Sequence, residues 1–439
     1  MNTSLASSVA SSGSTVLVET SNALPLVSMT VALRTGSQED PLGQEGLSRF
    51  AARLMRRTGG GLSAQEIDTK VDSLGGSLGA DVGVSSSSFH ATVIERSLEP
   101  FTELLVSVLA QPGFAPEEFG LLQRESEGEL IESRDNDRAL VQRWFRRKLF
   151  EGHPYGRPVS GTVKTLPSFG VSDVRDLYAR TWVSSNLVFA FAGDIEAARA
   201  RELAERIATA LPGGAPRTDT VPEPSQRPGR HLVLVDKPER TQTQILIGTL
   251  GTHAHDADHT ALHVANTVFG GTFTARMTQR IRSERGWSYG AYSDLPYDRR
   301  RQAFSMWTFP KASDAAACIQ LELEMLEQWC NEGITAKELT WAKRYLVRSH
   351  AFAIDTAAKR VSLALDAELF DLPAGYHEQY VESVQAVTLE EANAAIRARI
   401  SPRDLLISVV GTEAEIGTQI RDVIADLQSS ELVPFDTSD

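Results

Sequence analysis

Short apolar runs at Val16–Val18, Leu26–Leu33, Leu232–Val235 and Gln244–Leu250, bounded by turn-forming residues, predict strands. Between them the apolar positions take up a helical period. In Gly43–Arg57 the residues Leu47, Phe50, Ala51, Leu54 and Met55 share one stripe, which predicts an amphipathic helix. Leu98–Leu109 and Ala315–Trp329 show the same period, and helix starts are expected near Glu118 and Glu338. Leu187–Gly193 and Leu405–Gly411 are apolar strands that each end on a glycine.

These elements come in one order twice. Each half opens with two strands and a helix, followed by a glycine pair, Gly59-Gly60 and then Gly270-Gly271. A Gly-Ala step follows, at Gly79-Ala80 and Gly290-Ala291, and a Leu-Phe pair closes a later helix, at Leu149-Phe150 and Leu369-Phe370. A shared order of this length predicts an internal duplication. The Pro-, Gly- and polar-rich stretch Gly213–Gly229 divides the halves. The expectation is an α+β fold of two homologous sheet-plus-helix sandwich domains joined by a linker. The expected layout is a flexible N-terminus over 1–14, domains over 15–212 and 231–430, a linker over 213–230, and a tail over 431–439.

Composition narrows the function. The 439 residues are 41% hydrophobic and 23% charged, enough to bury real cores. A net charge of −13 argues against a nucleic-acid binder and against a polybasic membrane anchor. Cys318 and Cys330 stand in one helix-like stretch, roughly 18 Å apart along its axis, too far for a mutual disulfide. No basic residue precedes Arg34, and no run approaches the roughly 20 apolar residues of a membrane helix, so a cytoplasmic protein is expected.

Arg49 and Arg53 stand four apart on the Gly43–Arg57 helix, off its apolar stripe. The stretch Glu39–Gly46 before that helix, His153–Gly156 (HPYG) with the RPVSGT that follows it, and Trp182–Asp194 (WVSSNLVFAFAGD) also stand out. In these stretches the chain resembles the pitrilysin/insulinase family of zinc metallopeptidases, in its two-domain, mitochondrial-processing-peptidase-like branch. The likeness covers nearly the whole chain. It implies that the helix occupies the place of the family's His-x-x-Glu-His motif, with two zinc ligands and a general base on one face. Here that slot reads Arg49-Phe50-Ala51-Ala52-Arg53. The family's third ligand, a glutamate on a later helix, corresponds to Glu129, 76 positions beyond Arg53. Guanidinium has no lone pair for a metal, and Ala52 cannot take a proton from water. The resemblance therefore implies a degenerate zinc site at Arg49, Ala52, Arg53 and Glu129, with no metal bound by this chain. With the dication gone, Glu129 is expected to take Arg49 or Arg53 as its partner; an ordinary surface glutamate is the competing reading.

His253, His255, His259 and His263 form a second cluster, and His255 to His259 imitates the metal motif. The run follows a strand, so it is expected to begin as a loop, with Asp256 or Asp258 capping a helix over Thr260–Phe269.

The second half contains Arg282 and Tyr289, seven apart, expected to run from a helix end through Gly286 into a strand. The resemblance implies that this pair reaches a zinc site in the other half or another subunit, holding the substrate carbonyl and stabilising the oxyanion. The expected function is therefore that of a non-catalytic subunit in a heterodimeric zinc endopeptidase with a clam-like chamber. The partner would be a homologous, zinc-bearing subunit, and the substrate a peptide. The resemblance implies that the edge strand beginning near Gly76–Val84 corresponds to the strand that docks peptide in the family's catalytic subunits. The alternatives are a structural or peptide-holding scaffold of the same fold, or an enzyme with metal ligands relocated to the histidines.

Overall fold

The structure, a computed structural model, describes residues 5–215 and 217–437. The first half contains β1 (Leu5–Val9), β2 (Thr15–Thr20), β3 (Leu26–Leu33), β4 (Ser77–Val82), β5 (Ser87–Ile94) and β6 (Leu187–Gly193). The second contains β7 (Arg230–Asp236), β8 (Gln244–Leu250), β9 (Ala291–Asp294), β10 (Ala303–Thr308), β11 (Leu405–Gly411) and β12 (Leu427–Pro434). The first-half helices are α1 (Leu47–Met55), α2 (Ala64–Ser73), α3 (Leu98–Ala110), α4 (Pro116–Ser133), α5 (Asp137–Leu149), α6 (Val171–Thr181) and α7 (Ala197–Ala210). The second-half helices are α8 (His259–Phe269), α9 (Ala315–Glu332), α10 (Ala336–Ala353), α11 (Ala357–Leu369), α12 (Tyr380–Ala386), α13 (Leu389–Arg399) and α14 (Glu413–Val423).

Each half builds one six-stranded mixed sheet, in the orders β1-β2-β6-β3-β5-β4 and β12-β7-β11-β8-β10-β9. The two orders superpose strand for strand, as the duplicated pattern predicts. One edge differs. β1, from the start of the chain, lies antiparallel to β2, whereas β12, from its end, lies parallel to β7. Residues 5–9 thus form a strand where flexibility was expected, and β12 runs across the expected domain end at residue 430. The N-terminal stretch 1–4 and the tail residues 438–439 lie outside the described residues.

The central strands β6 and β11 are buried almost throughout, because both faces of each sheet are covered. In β6, Leu187, Phe189 and Phe191 face the first half's own helices. Val188, Ala190 and Ala192 face Val361, Leu365 and Leu369 of α11, a helix of the second half. The exchange is reciprocal: Leu406 and Val410 of β11 pack with Leu140, Val141, Trp144 and Phe145 of α5. Gly248 on β8 allows the close approach, since a Cβ there would come within 2.8 Å of Phe145. The two halves therefore interlock through exchanged helices. The two homologous domains that the repeated pattern predicts are present, and the exchanged helices hold them together in addition to the linker. The connecting stretch has no helix or strand among its described residues, yet it is tied down. Gln226 accepts hydrogen bonds from Leu250 N and Thr249 Oγ1, and Arg300 donates to Val221 O.

Candidate functional site: a guanidinium–carboxylate cluster

Helix α1 spans its apolar stripe from Leu47 to Met55 within the expected segment Gly43–Arg57, and its start is anchored from behind. Gly46 precedes it at φ 98°. A Cβ at Gly46 would come within 2.8 Å of the Gly161 backbone. The buried Asp40 carboxylate accepts from Gly46 N at 2.9 Å, Ser48 N at 2.8 Å and Ser48 Oγ at 2.5 Å, satisfying the first amides of the helix. Burial pushes the Asp40 pKa up to about 7, against these hydrogen bonds, which pull it down.

From this fixed start Arg49 and Arg53 project toward α4, where Glu129 receives both. Arg53 binds it bidentately, Nη1 to Oε2 at 2.9 Å and Nη2 to Oε1 at 2.6 Å. Arg53 Nη1 also donates to Ser126 Oγ at 3.1 Å. Arg49 Nη2 lies 3.5 Å from Glu129 Oε2, so one carboxylate bridges the two guanidiniums. The pairing continues along the helices, with Arg57 bound to Glu118 and Glu125, and Arg56 to Asp68. Ala52, which the resemblance aligns with the family's general base, is only 3% exposed. The sequence reading reached Arg49, Arg53 and Glu129 but missed Ser126; a serine three residues before Glu129, one helical turn away, is the signal that could have found it. Two guanidinium donors and a methyl group, where the resemblance implies two metal ligands and a base, do not fit a zinc ion.

Arg282 lies near the end of a helical element as expected, here a π-helical turn, Thr278–Glu284, while Tyr289 lies in the connection before β9 rather than in the strand itself. The Arg282 guanidinium carbon lies 4.4 Å from the ring centres of both Phe273 and Tyr289, between two exposed aromatic faces. Its Nη1 is buried without a hydrogen-bond partner. Phe273, an aromatic just after the Gly270-Gly271 pair, was not singled out from the sequence. No hydrogen bond or ion pair among the described residues joins Arg282 or Tyr289 to the Arg49–Arg53–Glu129 cluster.

The histidine run resolves into separate roles. His255 precedes the helix and its Nε2 meets Asp371 O at 2.6 Å. His259 opens α8, with Nδ1 2.8 Å from Thr252 Oγ1 and Nε2 2.9 Å from Tyr376 Oη; burial pulls its pKa down to about 4. Asp258 stands at the cap position but caps nothing with its side chain, binding Arg399 instead, and Asp256 binds Arg301. Among the described residues no three His, Cys, Asp or Glu side chains are placed to hold a metal. Cys318 and Cys330 are free and buried in α9. No helix among the described residues is long and apolar enough to cross a membrane.

Comparison with known proteins places these features in a lineage. Residues 15–163 match the family model described as Insulinase (Peptidase family M16), and residues 168–346 match that described as Peptidase M16 inactive domain. An uncharacterised zinc protease of Mycobacterium leprae is 26% identical, the match covering 89% of this chain and 88% of the relative. A Helicobacter pylori protein described as a non-peptidase homolog is 20% identical over 91% of this chain and 92% of its own. The crystal structure of a peptidase M16 inactive domain from Pseudomonas fluorescens superposes with a TM-score of 0.86 at 22% identity, covering 94% of this chain and 98% of that one. A protease from Helicobacter pylori superposes with a TM-score of 0.82 at 15% identity, covering 93% and 99%.

Proposed function

We propose that this chain, which belongs to the insulinase family, peptidase family M16, is a non-catalytic member that lends Arg282 and Tyr289 to a homologous, zinc-bearing partner. The observation that carries the reading is the bidentate Arg53–Glu129 pair, flanked by Arg49, which the resemblance aligns with the family's zinc ligands. A site closed by its own ion pair has neither ligands for a metal nor a base for water, so hydrolysis falls to another chain. Zinc on this reading belongs to the partner, the two bodies enclose a chamber, and the substrate is a peptide.

Arg282 and Tyr289 have the chemistry for their part. As a peptide carbonyl is attacked, its oxygen gains negative charge, and a guanidinium and a phenolic hydroxyl are suited to donate to it. Tyr289 is 74% exposed, and the Arg282 guanidinium lies against its ring, with Nη1 not committed to any acceptor. The test is to mix the chain with a homologue that carries His-x-x-Glu-His and to assay peptide hydrolysis by each alone and by both. Activity is expected only in the mixture. Arg282→Ala or Tyr289→Phe should lower kcat by about a hundredfold in an intact heterodimer. Full turnover from an assembled Arg282→Ala complex would sink the assignment.

The second reading, a peptide-holding scaffold without any hydrolytic role, draws on the same closed ion pair and on the non-peptidase description of the Helicobacter relative. It predicts that a zinc-bearing homologue gains nothing from this chain.

A further inference from the structure

Helix α10 is the second-half counterpart of α4: aligning Glu338 with Glu118 sets two helices of 18 residues in register. Their outer faces differ. Where α4 carries Leu121, Arg124, Glu125, Gly128 and Glu132, α10 carries Trp341, Arg344, Tyr345, Arg348 and Phe352. Leu339, Ala342 and Leu346 are the buried residues that fix α10 to the core, so the outer set has another use. Tyr345 is 44% and Phe352 74% exposed, and the Trp341 and Tyr345 rings stack with centroids 5.8 Å apart. Together with Ser349 these five side chains line a surface groove of about 390 Å³.

The charge in this groove has no internal match. Neither Arg344 nor Arg348 has a side-chain hydrogen bond, ion pair or ring contact among the described residues. No carboxylate lines the groove. The carboxylates nearest along the chain on either side are already held, Glu338 by Arg276 at 2.7 Å and Asp355 by Lys359 at 3.0 Å. On α4 the arrangement is the opposite, because Arg53 and Arg57 occupy Glu118, Glu125 and Glu129. Exposed guanidiniums beside exposed aromatic rings suit a ligand that brings carboxylates and apolar groups together.

The spacing says how that ligand is built. Arg344 and Arg348 form one row on the helix, and Trp341 and Tyr345 the neighbouring row. Within each row the step is four residues, about 6 Å along the axis. An extended chain puts alternate side chains on opposite edges, about 6.7 Å apart along each edge. A segment that alternates acidic with apolar residues therefore sets its carboxylates over the arginine row and its apolar side chains over the rings. We infer that this face of α10 docks such a segment, an acidic and apolar stretch of another polypeptide in extended form. Anionic lipid and nucleic acid fit less well: two guanidiniums are few to hold a chain of net charge −13 on a highly charged surface. The inference stands apart from the proposed function, since none of its residues belongs to the Arg282 or Glu129 sites.

The experiment is fluorescence anisotropy of the full chain with a labelled hexapeptide alternating glutamate and leucine, and with the same peptide carrying glutamine in place of glutamate. The glutamate peptide should bind, the glutamine peptide about tenfold or more weakly, and salt near 0.5 M should remove most of the difference. Arg344→Gln with Arg348→Gln should bring the glutamate peptide down to the level of the glutamine peptide. Phe352→Ser should weaken both peptides. These positions are exposed, so the melting temperatures should stay close to that of the parent. The comparison of the two peptides needs no variant, so it remains decisive if a variant misfolds. Equal affinity for both peptides, no binding of either, or a folded double-glutamine variant that binds as the parent does would each overturn the inference. Binding of phosphatidylserine vesicles or of oligothymidylate without binding of the peptide overturns it too, because the occupant is then a membrane or a nucleic acid. If the peptide fails to bind while Arg282→Ala still slows an assembled complex, this inference falls and the proposed function stands.

Discussion

Removing Glu129 should cost more stability than removing the arginine it binds, and taking out both should recover part of the loss. The Arg53–Glu129 pair is bidentate, with contacts of 2.9 and 2.6 Å, but its side chains are 25% and 43% exposed. Solvent screening at that exposure holds the pair to about 1 kcal/mol. Arg53→Gln forfeits that interaction, yet Glu129 keeps Arg49, already 3.5 Å away. Glu129→Gln forfeits the same interaction and leaves two guanidiniums facing one another without their bridge. That leaves uncompensated a repulsion which Coulomb's law with water-like screening puts at about 1 kcal/mol for like charges about 4 Å apart, for a total near 2 kcal/mol. The double variant removes the repulsion together with the attraction, so it should lie about 1 kcal/mol above Glu129→Gln. Urea unfolding followed by tryptophan fluorescence reads these differences as shifts in midpoint at constant m. Salt near 1 M, with a screening length of about 3 Å, should shrink the penalty of Glu129→Gln toward that of Arg53→Gln. A double variant less stable than Glu129→Gln would show that the carboxylate does not separate two like charges, and the cluster would lose its electrostatic reading.

Glu322 is fully buried on α9 with its pKa pushed up to about 8 by desolvation, so the folded protein keeps a proton that the unfolded chain releases above about pH 4.5. Stability should therefore fall by up to about 1.4 kcal/mol per pH unit between those values from this group, and Glu322→Gln should abolish that component of the slope in urea midpoints taken at pH 5 and pH 8. Leu365 belongs to the second half by sequence but packs against Val188, Ala190 and Ala192 of β6. Leu365→Ala should cost about 2–3 kcal/mol and should lower amide-exchange protection in β6, whereas protection lost only within the second half would contradict the helix exchange.

Much of the fold was legible because burial writes a period into the chain. β3, β6, β8 and β11 fall where their apolar runs predict them, and α1 follows its stripe. β1 was illegible for a physical reason: an edge strand reading LASSV, with most side chains partly or fully exposed, has no buried face to impose alternation. β12 is exposed along most of its length and gives as little signal. The exchanged helices were hidden differently. The apolar face of α5 says that something covers it, but the partner could equally have been its own sheet, and only the reciprocal burial of β11 identifies it. At the site, Glu129 was found through the family spacing, since a carboxylate among other glutamates on α4 carries no distinguishing pattern of its own. The aromatic sandwich around Arg282 depends on a π-helical turn, whose wider winding has no sequence period comparable to those of helix and strand.

On the proposed reading, in which α1 and α4 correspond to the family's metal site, the residues there also explain why Glu129 can remain. In the family, a zinc dication held by neutral imidazoles faces that carboxylate; here two guanidiniums bring the same total charge to the same oxygen atoms. The local electrostatic sum is preserved, so the carboxylate stays compensated and the α1–α4 contact survives. What disappears is the open coordination position and the acidity it gives to water, because a guanidinium fills its own valences and only donates. Ala52 fits the same logic. A carboxylate at a position only 3% exposed, with no metal-bound water to receive it, would carry a desolvation cost that a methyl group avoids. On that reading, loss of the base and loss of the ligands are one physical change: with fixed guanidiniums in place of a metal, a buried base has no proton to take and the packing favours its removal.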